Sequence, residues 1–339
     1  MPAATEASPI ESRVGHYYQM DGTYLVGREK LREYARAVQD YHPAHWDVAA
    51  AEELGYSDLV APLTFTSTPG MTCNRRMFES VVVGYDTYLQ TEEVFEQHRP
   101  IVAGDELFID VELTSVRRTA GRDFITVTNT FTDTAGERVH TLHTTVVGLT
   151  AEDVDPAIKT AVQNMMMHDV DIFGIGVSEY HKTVRPDAEI RIAEDTRTPG
   201  TPSFDDVQVG DELPVHHARL SRGDLVNYAG VAGDANPIHW DEGIAKLAGL
   251  PDVIAHGMLT MGVGAGFASA WSGDPGAVTR YAVRLSAPAV VSATEGADIE
   301  FSGRIKSLDP ATRTGVVLVA AKSDGKKIFG LATLNHRFR

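Results

Sequence analysis

The chain of 339 residues contains one segment twice, and this internal repeat constrains its fold more than any other feature. The sequence VQDYHPAHWD at 38–47 aligns without a gap with AGDANPIHWD at 232–241. A helical pattern ends just before each copy, and long alternating segments rich in Thr and Val follow each copy. Two like units, each with a long central helix followed by antiparallel strands, predict an α+β fold.

The repeat divides the chain into two units and a connector. Residues 1–150 and 204–339 are the predicted units, and 151–203, which has no repeated counterpart, is the predicted connector, expected to wrap one half. Within it, PAIKTAVQNMMMHDV is compatible with a helix, and the Pro, Gly and charged residues that follow are typical of a linker. Because each unit presents a sheet with a helix against it, we expect an internal pseudo-dimer paired edge to edge, with a pocket at the seam. Further oligomerisation stays open.

The second copy carries side chains suited to proton transfer. Asp234 precedes His239 by a short loop, in which Pro237 prevents a plain helix. Histidine titrates near neutral pH, and a carboxylate beside it can orient it, share its proton or activate a water molecule. Asn236 either ties this loop by an Asx-type hydrogen bond or reaches a catalytic group. Taken singly, these residues are more typical of an ordinary turn and of a structural histidine than of a catalytic site.

The segment Ala-His-Gly-Met at 255–258 precedes a long apolar stretch that we interpret as a buried helix. Gly257 lies where that helix should begin, so the N–H groups there can stabilise a developing negative charge without obstruction from a side chain. His256 is expected to support the site. A metal site built from Asp234, His239 and His256 is disfavoured, because their spacing matches no metal-binding pattern.

Composition narrows the cellular setting and the partners. The stretch 253–271 lacks charged residues and is long enough to cross a bilayer, but its several glycines and the absence of a basic flank favour a buried helix. The net charge of −17 repels nucleic acid. The single cysteine, Cys73, excludes an intrachain disulfide, and the N-terminus lacks the apolar segment of a secretory signal. We expect a cytoplasmic protein with no nucleic-acid or membrane partner.

These motifs resemble those of the MaoC-like family, whose hydratase 2 motif is similar to GDANPIHWD followed by IAHGM and whose members have the hot-dog fold. The two halves together resemble the HadA and HadB subunits of the mycobacterial (3R)-hydroxyacyl-ACP dehydratase, joined in one chain. The resemblance to HadB is carried by FDDVQVGDELP, DLVNYAGVAGDANPIHWD and GKKIFG. The resemblance to HadA is carried by REKLREYARAVQ, AAEELGY and PIVAGDEL.

The resemblance implies a double hot-dog hydro-lyase that interconverts (3R)-3-hydroxyacyl and trans-2-enoyl thioesters without a cofactor. It implies Asp234 and His239 as the catalytic pair and the Gly257 amide in the oxyanion hole. The expected partners are an acyl-ACP or acyl-CoA thioester and other enzymes of fatty acid or mycolic acid elongation. An R-specific enoyl-CoA hydratase and a non-catalytic acyl-thioester binding protein remain alternatives. Arg280 and Arg284 either meet the phosphate groups of a carrier arm or lie on a solvated strand edge.

The first copy repeats the catalytic pair but not its surroundings. Asp40 and His45 occupy the two positions, which departs from the HadA pattern. Pro62 removes an amide donor, and Leu63 brings a side chain to the place that glycine takes in the second copy. We therefore expect a vestigial, inactive site in the first half, with a central helix from about Thr64 to Met77 that lines the acyl channel.

Overall fold

The computed structural model describes residues 10–20, 22–150, 152–153, 156–165, 190–200 and 202–339. In the first unit, an antiparallel sheet wraps a central helix, α3. The helices are α1 (Arg28–Ala37), α2 (Val48–Glu53) and α3 (Ser67–Ser80), and the strands are β1 (Tyr17–Gln19), β2 (Tyr24–Leu25), β3 (Thr87–Gln97), β4 (Glu106–Thr119), β5 (Arg122–Thr132) and β6 (Glu137–Leu149). The predicted strands are confirmed, because buried and more exposed residues alternate along them.

The central helix of the first unit begins later than the sequence pattern predicts. The Phe65 N–H donates to the Pro62 carbonyl oxygen (2.8 Å) in a tight turn, and Thr66 is the residue that precedes the helix. Pro62 therefore shapes a turn before the helix, which runs from Ser67 to Ser80.

Two elements are described in the predicted connector, α4 (Pro156–Met165) and β7 (Arg191–Ile192). The helical prediction is confirmed as far as Met165, and the rest of the methionine run lies outside the described residues. Residues 190–200 were expected to wrap one half, but they contact both. β7 pairs in parallel with β6 of the first unit, and Arg197 lies 3.7 Å from the ring centroid of Tyr56 in the first unit and 3.5 Å from Asp274 Oδ2 in the second.

The second unit repeats the architecture of the first. Its helices are α5 (Arg222–Ala232), α6 (Glu242–Leu247) and α7 (Gly257–Ser272), and its strands are β8 (Glu212–Leu220), β9 (Val278–Leu285), β10 (Ala297–Asp309), β11 (Thr314–Ser323), β12 (Lys326–Lys327) and β13 (Phe329–Arg337). A capping box between Ser221 and Asp224 starts α5. The two side chains accept hydrogen bonds from backbone N–H groups that have no partner within the helix. No helix in the described ranges combines the length and hydropathy of a membrane span.

One sheet runs through both units, in the strand order β1-β4-β5-β6-β3-β9-β13-β11-β10-β8. β3 of the first unit and β9 of the second are antiparallel neighbours, so the predicted edge-to-edge pseudo-dimer is confirmed. Arg284 pairs with Glu92 (3.2 Å) and Arg280 with Glu96 (3.6 Å) across this seam. The two arginines therefore lie on an interior strand and face glutamates, and neither a carrier phosphate nor a strand edge is needed to explain them.

Glycines allow α7 to pack closely on two sides. A Cβ on Gly264 would lie 2.7 Å from the Tyr281 hydroxyl oxygen on the sheet side. A Cβ on Gly262 would lie 2.5 Å from Val38 Cγ1 of the first unit. Because real Cβ atoms do not approach other atoms this closely, the glycines set the distance between helix, sheet and neighbouring unit.

Candidate active site

The second copy of the repeated segment forms a tied loop after α5. Gly233 ends the helix with φ 83°, in the left-handed region that glycine tolerates, and directs the chain toward Asp234. The Asn236 N–H donates to Asp234 Oδ1 (3.3 Å), and Asn236 Oδ1 accepts from the Ile238 N–H (3.2 Å). Asn236 therefore ties the loop, the first of its two predicted roles, and starts the 3₁₀ turn Pro237–His239.

His239 is held on this turn as a neutral base. Its ring is buried, and Nδ1 lies 2.8 Å from the Ile254 carbonyl oxygen, so Nδ1 carries the proton that this bond requires. Burial lowers the pKa of His239, and the nearby Asp234 charge opposes this only in part. The imidazole is therefore neutral at neutral pH, and its Nε2 lone pair can accept a proton.

His256 and Asp234 complete a small cluster around this base. The rings of His256 and His239 stack with their centroids 3.8 Å apart, and His256 Nε2 lies 3.2 Å from the Asp234 carbonyl oxygen. Burial and the adjacent His239 lower the pKa of His256 to about 2, so this ring is neutral as well. The ligand atoms of the three side chains lie within 4.8 Å of one another. Such a group could surround a cation, although a backbone carbonyl engages one nitrogen of each histidine.

The buried helix α7 begins at Gly257, as predicted, directly after His256. The first N–H groups of a helix have no partner within the helix and lie at the positive end of its dipole. A Cβ at residue 257 would lie 2.6 Å from Leu285 Cδ1 and 3.3 Å from Gln90 Oε1. Glycine therefore lets Leu285 and Gln90 pack closely against this helix start, beside the Asp234–His239 cluster.

The sequence analysis missed two side chains of the first unit, Gln90 and Glu93, which lie at this helix start. Gln90 Nε2 lies 3.3 Å from Met258 Sδ and 2.6 Å from Glu93 Oε2. A signal was available, because strand alternation places Glu93 on the same inward face as the fully buried Phe95. An acidic residue at an inward strand position is unusual and marks a site worth examining.

The first copy of the segment folds in the same way as the second. His45 Nδ1 lies 2.7 Å from the Val60 carbonyl oxygen, and His42 caps the turn by accepting the Ala44 N–H on its Nδ1 (3.3 Å). These contacts repeat those of the second copy, so the local fold of the loop does not depend on asparagine at the capping position. The difference between the copies lies in what surrounds them.

Asp40 and His45 form a closed, buried ion pair. Their Oδ2 and Nε2 atoms are 3.2 Å apart, and the two side chains are 1% and 0% exposed. Burial acts to raise the pKa of Asp40, but the His45 charge holds it below its ordinary value, and Asp40 in turn holds the pKa of His45 above 6.5. Gly266 of α7 covers the pair, since a Cβ there would lie 3.2 Å from Asp40 Cα. Asp234, by contrast, is half-buried.

Comparison with known proteins assigns both halves to dehydratase families. Residues 12–142 match the family model described as a FAS1-like dehydratase domain region, and residues 206–323 match the model of the MaoC-like domain. A solved structure described as a MaoC-like dehydratase is 81% identical, with a TM-score of 0.93 over 97% of this chain and 100% of that chain.

A more distant solved structure has the same fold, and a curated relative matches part of the sequence. A conserved hypothetical protein from Mycobacterium tuberculosis, described as having a double hotdog fold, is 15% identical with a TM-score of 0.61 over 96% of each chain. A UPF0336 protein from Mycolicibacterium paratuberculosis is 35% identical over 159 residues, which cover 46% of this chain and 91% of that protein. The predicted family and fold are confirmed: the chain belongs to the MaoC-like dehydratases and consists of two hot-dog units fused in one polypeptide.

Proposed function

We propose that the chain is a (3R)-3-hydroxyacyl-thioester dehydratase, which removes water reversibly to give the trans-2-enoyl thioester. The observation that carries this proposal is the neutral His239, which has a ring nitrogen within 4.8 Å of a carboxylate oxygen of Asp234 and lies near the helix start at Gly257. Membership of a dehydratase family supports the reaction class. The second unit, 204–339, is the proposed catalytic unit.

The chemistry requires a base for the C2 proton, a proton for the departing C3 hydroxyl and donors for the thioester oxygen. His239 Nε2 takes the C2 proton, and the Gly257 N–H donates to the thioester oxygen as enolate charge develops. The hydroxyl leaves as water with the proton that His239 took, passed through the network shared with Asp234. The products are the enoyl thioester and water, and the site regains its starting protonation state. Addition of water to the enoyl thioester follows the same steps in reverse.

The first unit, 1–150, is proposed to bind the acyl chain without catalysing the reaction. Asp40 and His45 are fully buried against each other, so a substrate cannot reach them without displacing α7. Leu63 occupies the position of the site glycine. The central helix α3 of this unit would then line the channel for the acyl chain.

We propose an acyl-ACP of fatty acid or mycolic acid elongation as the substrate. The test is a rate series in both directions over acyl lengths, with each acyl group on acyl carrier protein and on CoA. Faster turnover on acyl carrier protein would support this choice. Faster turnover on CoA would favour an R-specific enoyl-CoA hydratase, and tight binding without turnover would favour a binding protein.

Two variants test the proposed residues. Asp234→Asn and His239→Ala should each lower kcat by a factor of about 10² to 10⁴, because each removes a proton-transfer group, while circular dichroism shows a folded protein. Asp40→Asn, in the buried Asp40–His45 pair, is the matched control and should retain near wild-type kcat. Wild-type turnover in either second-unit variant would refute the assignment.

A further inference from the structure

Gln90 brings a side-chain amide from the first unit to the proposed oxyanion position. It lies on β3, beside the register shift that separates Gln90 from Glu92 in the pairing with β6, and such bulges re-aim side chains. Its Nε2 lies 3.3 Å from Met258 Sδ, and its Oε1 lies 3.3 Å from where a Cβ on Gly257 would be. The amide therefore lies at the start of α7.

Glu93 and Thr144 hold this amide in place. Glu93 Oε2 lies 2.6 Å from the Gln90 Nε2, and Glu93 Oε1 accepts from the Thr144 hydroxyl at 2.7 Å. The Glu93 side chain is only 2% exposed, and burial raises its pKa to about 8. In the ranges that the structure describes, both of its hydrogen-bond partners are neutral side chains. Glu93 is therefore mainly an uncharged carboxylic acid at neutral pH.

The protonation of Glu93 decides which way the Gln90 amide turns. The two ends of a glutamine amide have nearly the same shape, so hydrogen-bond partners set its orientation. A neutral Glu93 donates its O–H to the amide oxygen, and the separation of 2.6 Å suits such an O–H···O bond. The Gln90 NH₂ group then faces Gly257. An ionised Glu93 instead accepts from that NH₂ group and turns the amide oxygen toward the helix start.

We propose that Gln90 is a substrate-binding residue supplied by the first unit, whose NH₂ group donates to the thioester oxygen alongside the Gly257 N–H. Neutral Glu93 is the positioning residue that turns the amide this way. The inference rests on the proposed function, because it assigns a second donor to the same oxyanion position. The seam between the units is then part of the site, and one unit completes the other.

The other groups around Glu93 leave it as the titrating residue of this network. Thr144 on β6, Met258 on α7 and Val283, its register partner on β9, carry no titratable group. Tyr34 on α1 does, but burial, and to a smaller extent the Glu93 charge, raises the pKa of Tyr34 above 10. Glu93 therefore loses its proton first as pH rises, and kcat should fall through the pKa of Glu93.

Two variants test the proposal. Gln90→Met keeps the length of the side chain but removes the donor, and kcat should fall about tenfold to a hundredfold with little change in KM, because the bond strengthens as enolate charge develops. Glu93→Gln stays neutral at every pH and can still donate to the Gln90 oxygen. It should keep near wild-type kcat at pH 7 and lose the alkaline fall in rate.

Gln97→Met is the matched control. Gln97 lies on the same strand and is buried, but its Nε2 donates to the Val278 carbonyl oxygen at 2.8 Å, at the other end of the seam. Its loss should lower stability while kcat and the alkaline pH profile stay as in the wild type. The control separates loss of a buried amide from loss of a substrate contact.

Each outcome decides the proposal. Wild-type kcat in Gln90→Met, or an unchanged alkaline fall in Glu93→Gln, would overturn it while Asp234→Asn remains inactive and the proposed function stands. An equal loss of kcat in Gln97→Met would also overturn it, because the effect would then be structural. A wild-type protein without turnover on any thioester would overturn both proposals. If Gln90→Met does not fold, the pH profile of Glu93→Gln decides alone.

Discussion

Replacing Asp40 by asparagine should uncouple stability from activity in this protein. Asp40 makes an ion pair with His45 at 3.2 Å and accepts the His42 N–H at 3.2 Å, inside a contact closed by Gly266. Asparagine has nearly the same volume and keeps an acceptor for the His42 N–H. The substitution therefore removes the charge interaction and little else.

The size of the effect follows from burial. Breaking a buried ion pair by removing one partner costs roughly 3–5 kcal/mol, because the remaining charge is left without compensation. Here His45 can lose its proton, and the introduced amide can still occupy the site of the carboxylate, so we expect a loss at or below the lower end of this range. The free energy of unfolding should fall by about 2–3 kcal/mol near pH 5.5.

The loss should depend on pH with a defined sign. The folded-state pKa of His45 is raised, so its contribution is complete below about 6.5 and is lost as pH rises through the raised value. The folded-state pKa of Asp40 is lowered, so its contribution is complete above about 4 and is lost as pH falls through the lowered value. The pair therefore stabilises the fold most between about pH 4 and 6.5.

Urea unfolding of the wild type and Asp40→Asn at about pH 5.5 and pH 9 measures this difference. Asp234→Asn is the matched control, since Asp234 is half-buried and should change the unfolding free energy by less than about 1 kcal/mol. Turnover should show the reverse: Asp234→Asn should lower kcat, and Asp40→Asn should leave it near the wild-type value. The reasoning would be refuted by an Asp40→Asn protein as stable as the wild type at pH 5.5, or by a loss that is larger at pH 9.

Three shorter predictions concern the helices and the base. Gly262→Ala should lower the free energy of unfolding in urea by roughly 1–3 kcal/mol, because its methyl group would overlap Val38. Gly230 is an exposed helical position with nothing within 4 Å of an added Cβ, so Gly230→Ala should raise the free energy of unfolding by about 0.5–1 kcal/mol. A gain at both positions would contradict the close packing of α7. Gly257→Ala should lower kcat at least about tenfold and also lower the unfolding midpoint, because its methyl group would overlap Leu285. Wild-type kcat would exclude this helix start from the site. When kcat/KM is measured against pH, the midpoint of its acid limb should lie below pH 6.5, because burial lowers the pKa of His239 and the base must be neutral to act. A midpoint above pH 6.5 would contradict the assignment of His239 as the base.

Much of the fold was predictable because it depends on local pattern. The repeat indicated two like units. The alternation of apolar and polar residues along β10 and β11 indicated a sheet with one face on the core, and buried and more exposed residues alternate there. The start of α3 was misplaced, since Pro62 begins a tight turn and the helix starts only after it, at Ser67. The connector was assigned to one half because its sequence carries no sign that Arg197 reaches both.

The site was predictable only where neighbours in sequence are neighbours in space. The contact between Asn236 and Asp234 is set within one loop, and so was readable from the motif. The approach of Gln90 to Gly257 depends on the β3–β9 pairing, which joins residues far apart in the chain. The closure of Asp40 depends likewise on which face of α7 carries Gly266, and periodicity alone does not specify that face.

The β3–β9 seam lies within a single polypeptide, and this changes how the site responds to dilution. Two separate subunits would part at low concentration, whereas tethered units meet at an effective concentration of order millimolar. Turnover per molecule should therefore stay constant on dilution. Freedom from exact twofold symmetry has a second consequence, because a substitution in one unit is not copied into the other. Covalent linkage of the two units thus allows the Asp40–His45 pair to serve as a buried brace while the proposed catalytic pair, Asp234 and His239, has different surroundings.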